Sequence, residues 1–410
     1  MAATGREFFT VKTVTQALGE FRPAHRTAVE TVALDRAWGR VPAADVRAPQ
    51  ALPGFDRSSV DGFAVRAQDT YGASEAIPAY LHVTGAVTMG AGADGQVGAG
   101  TAVAIPTGGM LPDGADAVVM VEHTQEAMPG TIEVVRPVAP GEGIVRADED
   151  VSVNAAIVTA GRPLRPQDLA MLAACGIVEV AVHAAPRVAI FATGDEVRPP
   201  ETRTLPPGHV RDALSVSIGA LAGEAGGHPR PPSIIPDDRD ALHAALAGAV
   251  RENDLVVICA GSSVGARDET AAAVAGLPDA EIWCHGLAIK PGKPTLLARS
   301  GQIPLVGLPG NPRSALVVFR LIGLPLIRRI GGWTSEPRPA RVRARLSRDV
   351  PSAAGRLDVV QVRLNDELAE PVFGPSALLS VLTSADGYLI VPEDANGLPG
   401  GEPVEVVPYG

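Results

Sequence analysis

The sequence predicts a multidomain fold: a central α/β unit with a mainly parallel sheet, a β-rich insert before it and a small β unit after it. Three observations carry this. From Pro186 to Trp333, strand-length apolar runs alternate with helical stretches. From Ala48 to about Arg136, short apolar runs alternate with Gly-rich turns. Beyond Pro337-Arg-Pro339 the residues alternate again to the end. A chain of 410 residues is long enough for two to four domains, each with a real core. Hydrophobic residues make up 46% and aromatics 4%, so those cores are built of Val, Ala, Leu and Ile.

Each element has its own signal. Val11–Gly19 reads as a short helix and Thr27–Leu34 as a strand leading to a turn at Gly39. Leu81–Val87, Ala102–Ile105, Ala117–Val121 and Thr131–Val135 are the strands of the β-rich insert. Arg165–Ala174 is apolar at helical spacing, with Pro166 suited to a first turn. Val178–Val182 is a further strand. In the α/β unit, Val188–Ala192, Leu255–Ala260 and Leu305–Leu308 are continuous apolar strands. Asp212–Ala225, Asp237–Val250, Arg267–Ala275 and Arg313–Ile330 are the helices between and after them.

Composition narrows the function. A net charge of -11 argues against general nucleic-acid binding, which rests on neutralising phosphates. Any anion site is then a local positive pocket on an acidic body. Three cysteines without C-x-x-C spacing give neither a disulfide framework nor a zinc site. The eight histidines show no ligand spacing. No run reaches the length of a membrane span, and the N-terminal residues are polar, so the expectation is a soluble cytoplasmic protein.

Gly286-Leu-Ala-Ile-Lys-Pro-Gly-Lys-Pro294 is the most informative segment. It mounts Lys290 and Lys293 among residues that restrict or permit unusual backbone angles, which suits a small, highly charged anion. The bland alternative is a pair of solvated lysines. Gly307-Leu-Pro-Gly-Asn-Pro-Arg-Ser314 adds a second stiff turn. Thr193-Gly-Asp-Glu196 follows a strand, where acids in an α/β unit point to ligands. Gly261-Ser-Ser-Val-Gly265 enters a helix and reads either as a phosphate loop or as a tight turn. Asp268 reads as a metal ligand or as a helix cap. In the insert, Pro53–Ala64, with Asp56, Ser58 and Asp61, reads on spacing alone as a turn. Thr107-Gly-Gly109 is either an anion nest or a plain β-turn. Asp148-Glu-Asp150 is a cation site or a solvated run.

Together, in this order and across nearly the whole chain, these segments and the tail Leu378–Glu405 resemble the molybdopterin molybdotransferase family, of the MoeA and gephyrin E-domain type. The resemblance implies a four-part subunit. Residues 1–48 and 145–185 form a helical and strand region for dimerisation, and 49–144 the β-rich insert. Residues 186–333 form an α/β domain of molybdopterin-binding type, and 334–410 a small β-barrel. It implies a homodimer in which the insert of one subunit reaches the α/β site of the other. It also implies insertion of molybdate into adenylylated molybdopterin with release of AMP, assisted by Mg²⁺.

On the same basis Asp61, Thr107, Asp150, Glu196, Asp237 and Asp268 are the catalytic positions, and Glu196, Asp237 and Asp268 the metal ligands. Gly261, Ser262, Ser263, Gly265, Lys290, Lys293, Pro309, Asn311, Pro312, Ser314 and Arg356 are the substrate-binding positions. Partners implied are molybdopterin adenylyltransferase and the recipient molybdoenzymes, with neither nucleic acid nor membrane. Four places depart from the family pattern: Asp148 and Ala260 where glycine is usual, Asp212-Ala-Leu214 for Asp-Ser/Thr-Asn, and Phe63 for tyrosine. The alternatives are a molybdopterin adenylyltransferase, which is generally the α/β unit alone, and a non-catalytic pterin-binding paralogue, to which Asp212-Ala-Leu214 speaks.

Overall fold

Alternate residues of the central strands face opposite sides of one sheet, and both sides are apolar. Val188, Ile190, Leu255, Val257, Val306 and Leu308 enter one core cluster, whereas Ala189, Val256, Ile258 and Leu305 enter another. A strand apolar on both faces is stable only when helices cover both. Leu214–Glu224 and the helical run from Pro312 to Ile330 cover the first side. Arg239–Glu252 and Val264–Ala275 cover the second. The computed structural model describes residues 11–93, 95–260 and 264–409, and the side chains of 264–268 lie outside that description.

This seven-stranded sheet is parallel through His228–Pro229, Arg187–Thr193, Leu255–Cys259 and Ile303–Leu308, with Ser233–Ile235 also beside Arg187–Thr193. It continues antiparallel into Leu296–Ser300 and Ala280–His285. Those two strands were not legible in the sequence. The hairpin joining Leu296–Ser300 to Ile303–Leu308 turns on Gly301 and Gln302, with Gly301 at φ 57°. Because direction reverses twice, Ala280–His285 again runs parallel to Ile303–Leu308. Its loop therefore leaves at the sheet edge from which the parallel strands' carboxyl ends also emerge.

The run expected as one helix from Arg313 is interrupted by a π-helical stretch, Phe319–Gly323. Leu324 N–H donates to Phe319 O, five residues back. The wider turn lies just before Pro325, which lacks a donor of its own. Val14–Glu20 begins at a capping box on Thr13 and lays Val14 and Ala17 on the α/β core.

The insert holds a six-stranded sheet in the order Ala117–Met120, Gly62–Val65, Thr101–Ile105, Ala79–Ala86, Thr131–Val134, Thr124–Met128. Outside it, Val29–Ala33 pairs with Glu179–His183, and Val46–Arg47 with Ala156–Val158. The C-terminal strands close into a small barrel: Leu357–Asn365, Leu368–Pro371, Val342–Leu346, Pro403–Pro408, Gly387–Val391 and back to Leu357–Asn365. The α/β unit lends this barrel a short strand, Ile289–Lys290, which lies parallel to Leu357 and Asp358. No helix among the described residues is long and apolar enough to cross a membrane.

Candidate functional site

The loop after Ala280–His285 is tied down along its length. Gly286 N–H donates to Thr295 O at 2.8 Å and Leu287 N–H to Lys293 O at 2.9 Å. Thr295, fully buried, donates its hydroxyl to Gly292 O at 2.7 Å. Gly292 sits at φ 123°, and a Cβ there would lie 2.4 Å from Val318 Cγ2. Only glycine fits both the angle and the space. The two lysines are thus carried on backbone that has little freedom.

This loop, the turn from Pro309 to Ser314 and two barrel loops enclose a cleft of about 700 Å³. Lys290, Lys293, Pro309, Asn311, Ser314 and Arg356 line it. Pro312 instead opens the helix Pro312–Val318 and does not line the cleft. Gly261, Ser262 and Ser263 lie outside the described residues, and Gly265 belongs to the helix Val264–Ala275.

Two further residues of this region are not among the positions that the resemblance implies. Asp358, buried in the barrel wall, accepts from Arg356 Nε at 2.8 Å and faces Lys290 Nζ at 3.6 Å. It holds two cleft cations in place from behind. Arg313 supplies a fourth cation to the lining, and burial pushes its guanidinium below its ordinary value. A cleft with four cations and one carboxylate beside it concentrates positive potential on an acidic protein.

The acids lie elsewhere in the single chain. Asp61 Oδ1 accepts from the Thr107 N–H at 2.7 Å and from its hydroxyl at 2.9 Å. Register explains the meeting: Gly62 pairs with Ile105, so the residues just beyond the strands come together. These two bonds, the backbone one foremost, hold the Asp61 carboxyl below its usual range. Asp150 is exposed on the loop that pairs back to Leu52.

Glu196 is half-buried just beyond Arg187–Thr193. Gly194, at φ 139°, lets its carboxylate fold over the turn; a Cβ there would meet Glu196 Oε2 at 2.4 Å. Asp195 Oδ1 accepts from Asp237 N–H at 3.2 Å, bringing two loops at this end of the sheet together. Asp237 is exposed and precedes Asp238, whose Oδ1 caps the helix Arg239–Glu252 through Ala241 N–H. Asp268 lies on the helix Val264–Ala275, and its side chain is outside the description. Among the described residues no three His, Cys, Asp or Glu side chains gather closely enough to hold a metal ion. None of Asp61, Thr107, Asp150, Glu196 and Asp237 lines the cation cleft.

Three family models match consecutive stretches: "MoeA N-terminal region (domain I and II)" over 10–176, "Probable molybdopterin binding domain" over 189–329, and "MoeA C-terminal region (domain IV)" over 343–409. The molybdopterin molybdenumtransferase of Bacillus subtilis is 33% identical over 92% of this chain and 89% of its own. The chain belongs to the MoeA family. Molybdopterin molybdenumtransferase 2 of Mycobacterium tuberculosis is also 33% identical, over 92% of this chain and 94% of its own. A crystal structure of the MoeA protein of Pyrococcus horikoshii OT3 superposes with TM-score 0.85 and 32% identity, covering 97% of this chain and 100% of that one.

For a MoeA-family chain, two departures acquire a structural account. Asp148 adopts φ 70°, a left-handed angle that aspartate tolerates better than most residues, so the glycine usual there is not required. Asp212 is buried and accepts from Ser215 N–H at 3.0 Å, and so satisfies a backbone donor in the first turn of Leu214–Glu224. Ala213 and Leu214 supply no polar side chain. Cys175, Cys259 and Cys284 are free and buried. Burial pushes the Cys284 thiol up to about 11 and raises Cys259 further, so neither is a thiolate nucleophile at neutral pH.

Proposed function

We infer that this chain inserts molybdate into adenylylated molybdopterin, releasing AMP and forming molybdenum cofactor. One observation carries the reading: a cleft of about 700 Å³ presents Lys290, Lys293, Arg313 and Arg356 together, on the domain that matches the molybdopterin-binding model and on the barrel behind it. Relatives named molybdopterin molybdenumtransferase match the chain along nearly its whole length.

The residues suit the task. Molybdate is a tetrahedral dianion, and lysines act on it as point charges while arginine donates in a fixed fork. The dithiolene of the substrate supplies its own sulfur ligands, so the inert cysteines are no obstacle. Ser314 adds a hydroxyl donor to the same lining. The phosphate end of the substrate belongs near the acids at the carboxyl ends of the parallel strands. There Glu196 and Asp237, with Asp268 on the next helix, are the residues proposed to hold Mg²⁺. They are hard oxygen donors, and Mg²⁺ needs only one or two carboxylates when phosphates and water complete its shell. When bound, the ion would neutralise charge that builds as the phosphoanhydride breaks. Asp61, with its proton held off by Thr107, is proposed to orient water or metal from the insert of the second subunit.

The division at 1–48 with 145–185, 49–144, 186–333 and 334–410 belongs to this proposal, as do the homodimer with a shared site, the cytoplasmic setting, and molybdopterin adenylyltransferase and molybdoenzymes as partners. Separate hydrophobic clusters in the insert, the α/β unit and the barrel support the division.

The test is direct. Purified protein is mixed with adenylylated molybdopterin, Mg²⁺ and molybdate, and AMP and cofactor are followed. AMP formed together with cofactor is the expected result. Adenylylation of free molybdopterin by ATP would instead establish the adenylyltransferase. Binding without product would establish a non-catalytic paralogue.

A further inference from the structure

Next to the cleft lies a smaller chamber of about 190 Å³, between the α/β unit and the barrel. Lys290, Pro291, Arg313 and Gly374 line both spaces, so the two adjoin. Asp358 and Gln361 line only the inner one.

The charges around this chamber do not cancel. The Asp358 carboxylate is already engaged by Arg356 at 2.8 Å and Lys290 at 3.6 Å. Arg313 makes no ion pair among the described residues, and its Nε is buried without a hydrogen-bond partner. Three cations against one carboxylate leave two positive charges. Gln361 is wholly buried as well; its amide N–H donates to Tyr409 Oη at 3.4 Å while its Oε1 has no partner among the described residues. A desolvated donor and acceptor left open in one place are costly to folding, and burial depresses the Arg313 guanidinium accordingly. Stabilisation of that kind is forgone where a ligand completes the set.

We propose that Arg313 and Lys290 form an oxyanion subsite in this chamber, which takes a small tetrahedral dianion of the molybdate type together with a water. The guanidinium donates to the anion. Gln361 Oε1, an acceptor, takes a hydrogen from the water and not from a bare oxyanion oxygen. Asp358 repels an anion but is screened by its two partners. The proposal rests on the reading of the cleft as the molybdate site and deepens it: Arg313, one lining cation among four there, is the residue that sets oxyanion affinity in the inner chamber.

The experiment is calorimetric titration of molybdate into the purified full-length protein, without pterin, for wild type, Arg313→Gln, Arg313→Lys and Lys293→Gln, with thermal unfolding of each. Loss of a charge-assisted hydrogen bond should weaken binding in Arg313→Gln by about 10- to 100-fold, with partial recovery in Arg313→Lys. Because the Arg313 side chain has no partner among the described residues to orphan, the unfolding midpoint of Arg313→Gln should not fall. Wild-type affinity in Arg313→Gln, beside weakened binding in Lys293→Gln, overturns the subsite and leaves the cleft reading standing. An earlier unfolding of Arg313→Gln that Arg313→Lys does not repair, with binding lost in both, assigns Arg313 to packing and also overturns it. Absence of molybdate binding by the wild type overturns the cleft reading and the subsite together.

Discussion

Lys290 of the α/β unit and Asp358 of the barrel stand opposite each other in a two-residue parallel strand pair, with Nζ and Oδ2 3.6 Å apart. The barrel is therefore part of the cleft: its buried carboxylate holds one cation of the α/β unit and one of its own, Arg356.

Asp358→Asn keeps the shape and removes the charge. The expected result is a rise in KM for molybdate that exceeds the fall in kcat, because Lys290 and Arg356 lose their anchor. Stability should drop by about 1–3 kcal/mol, the usual cost of losing a buried hydrogen-bonded charge partner. Steady-state kinetics with varied molybdate and urea unfolding check both.

Gly292→Ala should damage the lysine loop. The added methyl meets Val318 Cγ2 at 2.4 Å and the φ of 123° is strained for alanine. A loss of about 2–4 kcal/mol follows from overpacking and strain together. Thermal unfolding, with AMP release at saturating molybdate, reads it; an unchanged midpoint would contradict the rigid loop.

Thr107→Val removes one of the two donors to Asp61. The Asp61 carboxyl then rises toward its ordinary value, since hydrogen bonds to the charged form hold it down. The acid limb of the rate profile should move to higher pH, and Thr107→Ser should leave it in place. A profile of AMP release against pH decides.

Asp168 governs acid stability. It is buried between Arg162, whose Nη2 lies 2.9 Å from Oδ1, and Arg165, whose Nε lies 3.0 Å from Oδ2. Arg162 is the larger cause and Arg165 adds to it; together they outweigh burial and hold the carboxyl well below the usual range. A depressed folded value means that the stabilisation is present above the unfolded value of about 3.9 and is lost as pH falls below it. Asp168→Asn should cost about 3 kcal/mol at neutral pH and flatten the loss of stability in acid. Urea unfolding from pH 7 to about pH 2 measures the slope.

How much was legible follows from particular residues. Val188–Ala192 and Leu255–Ala260 were plain because strands covered on both faces must be apolar at every position. Leu296–Ser300 and Ala280–His285 were not: Arg299, Ser300 and Glu281 break the apolar run on an antiparallel edge. Lys290, Lys293 and Arg356 were legible as cations. Asp358 was not, because an aspartate in a barrel strand has no local signal for its distant partners. Arg313, a cation between Pro312 and Ser314, carries a local signal, but nothing beside it in the chain shows that it faces the barrel.

What the sequence by itself determined is the order of units, the strands buried on both faces, the turns at their ends and the family. These depend on neighbours in the chain, on side-chain period and on turn residues. Only the tertiary structure decided that the barrel borrows Ile289–Lys290 as a strand, that Arg313 joins the lysines around one cleft, and that Asp358 meets Lys290 in the chamber beside it. Such meetings depend on strand pairing between segments far apart in the chain, and no local pattern records which partner a buried charge finds.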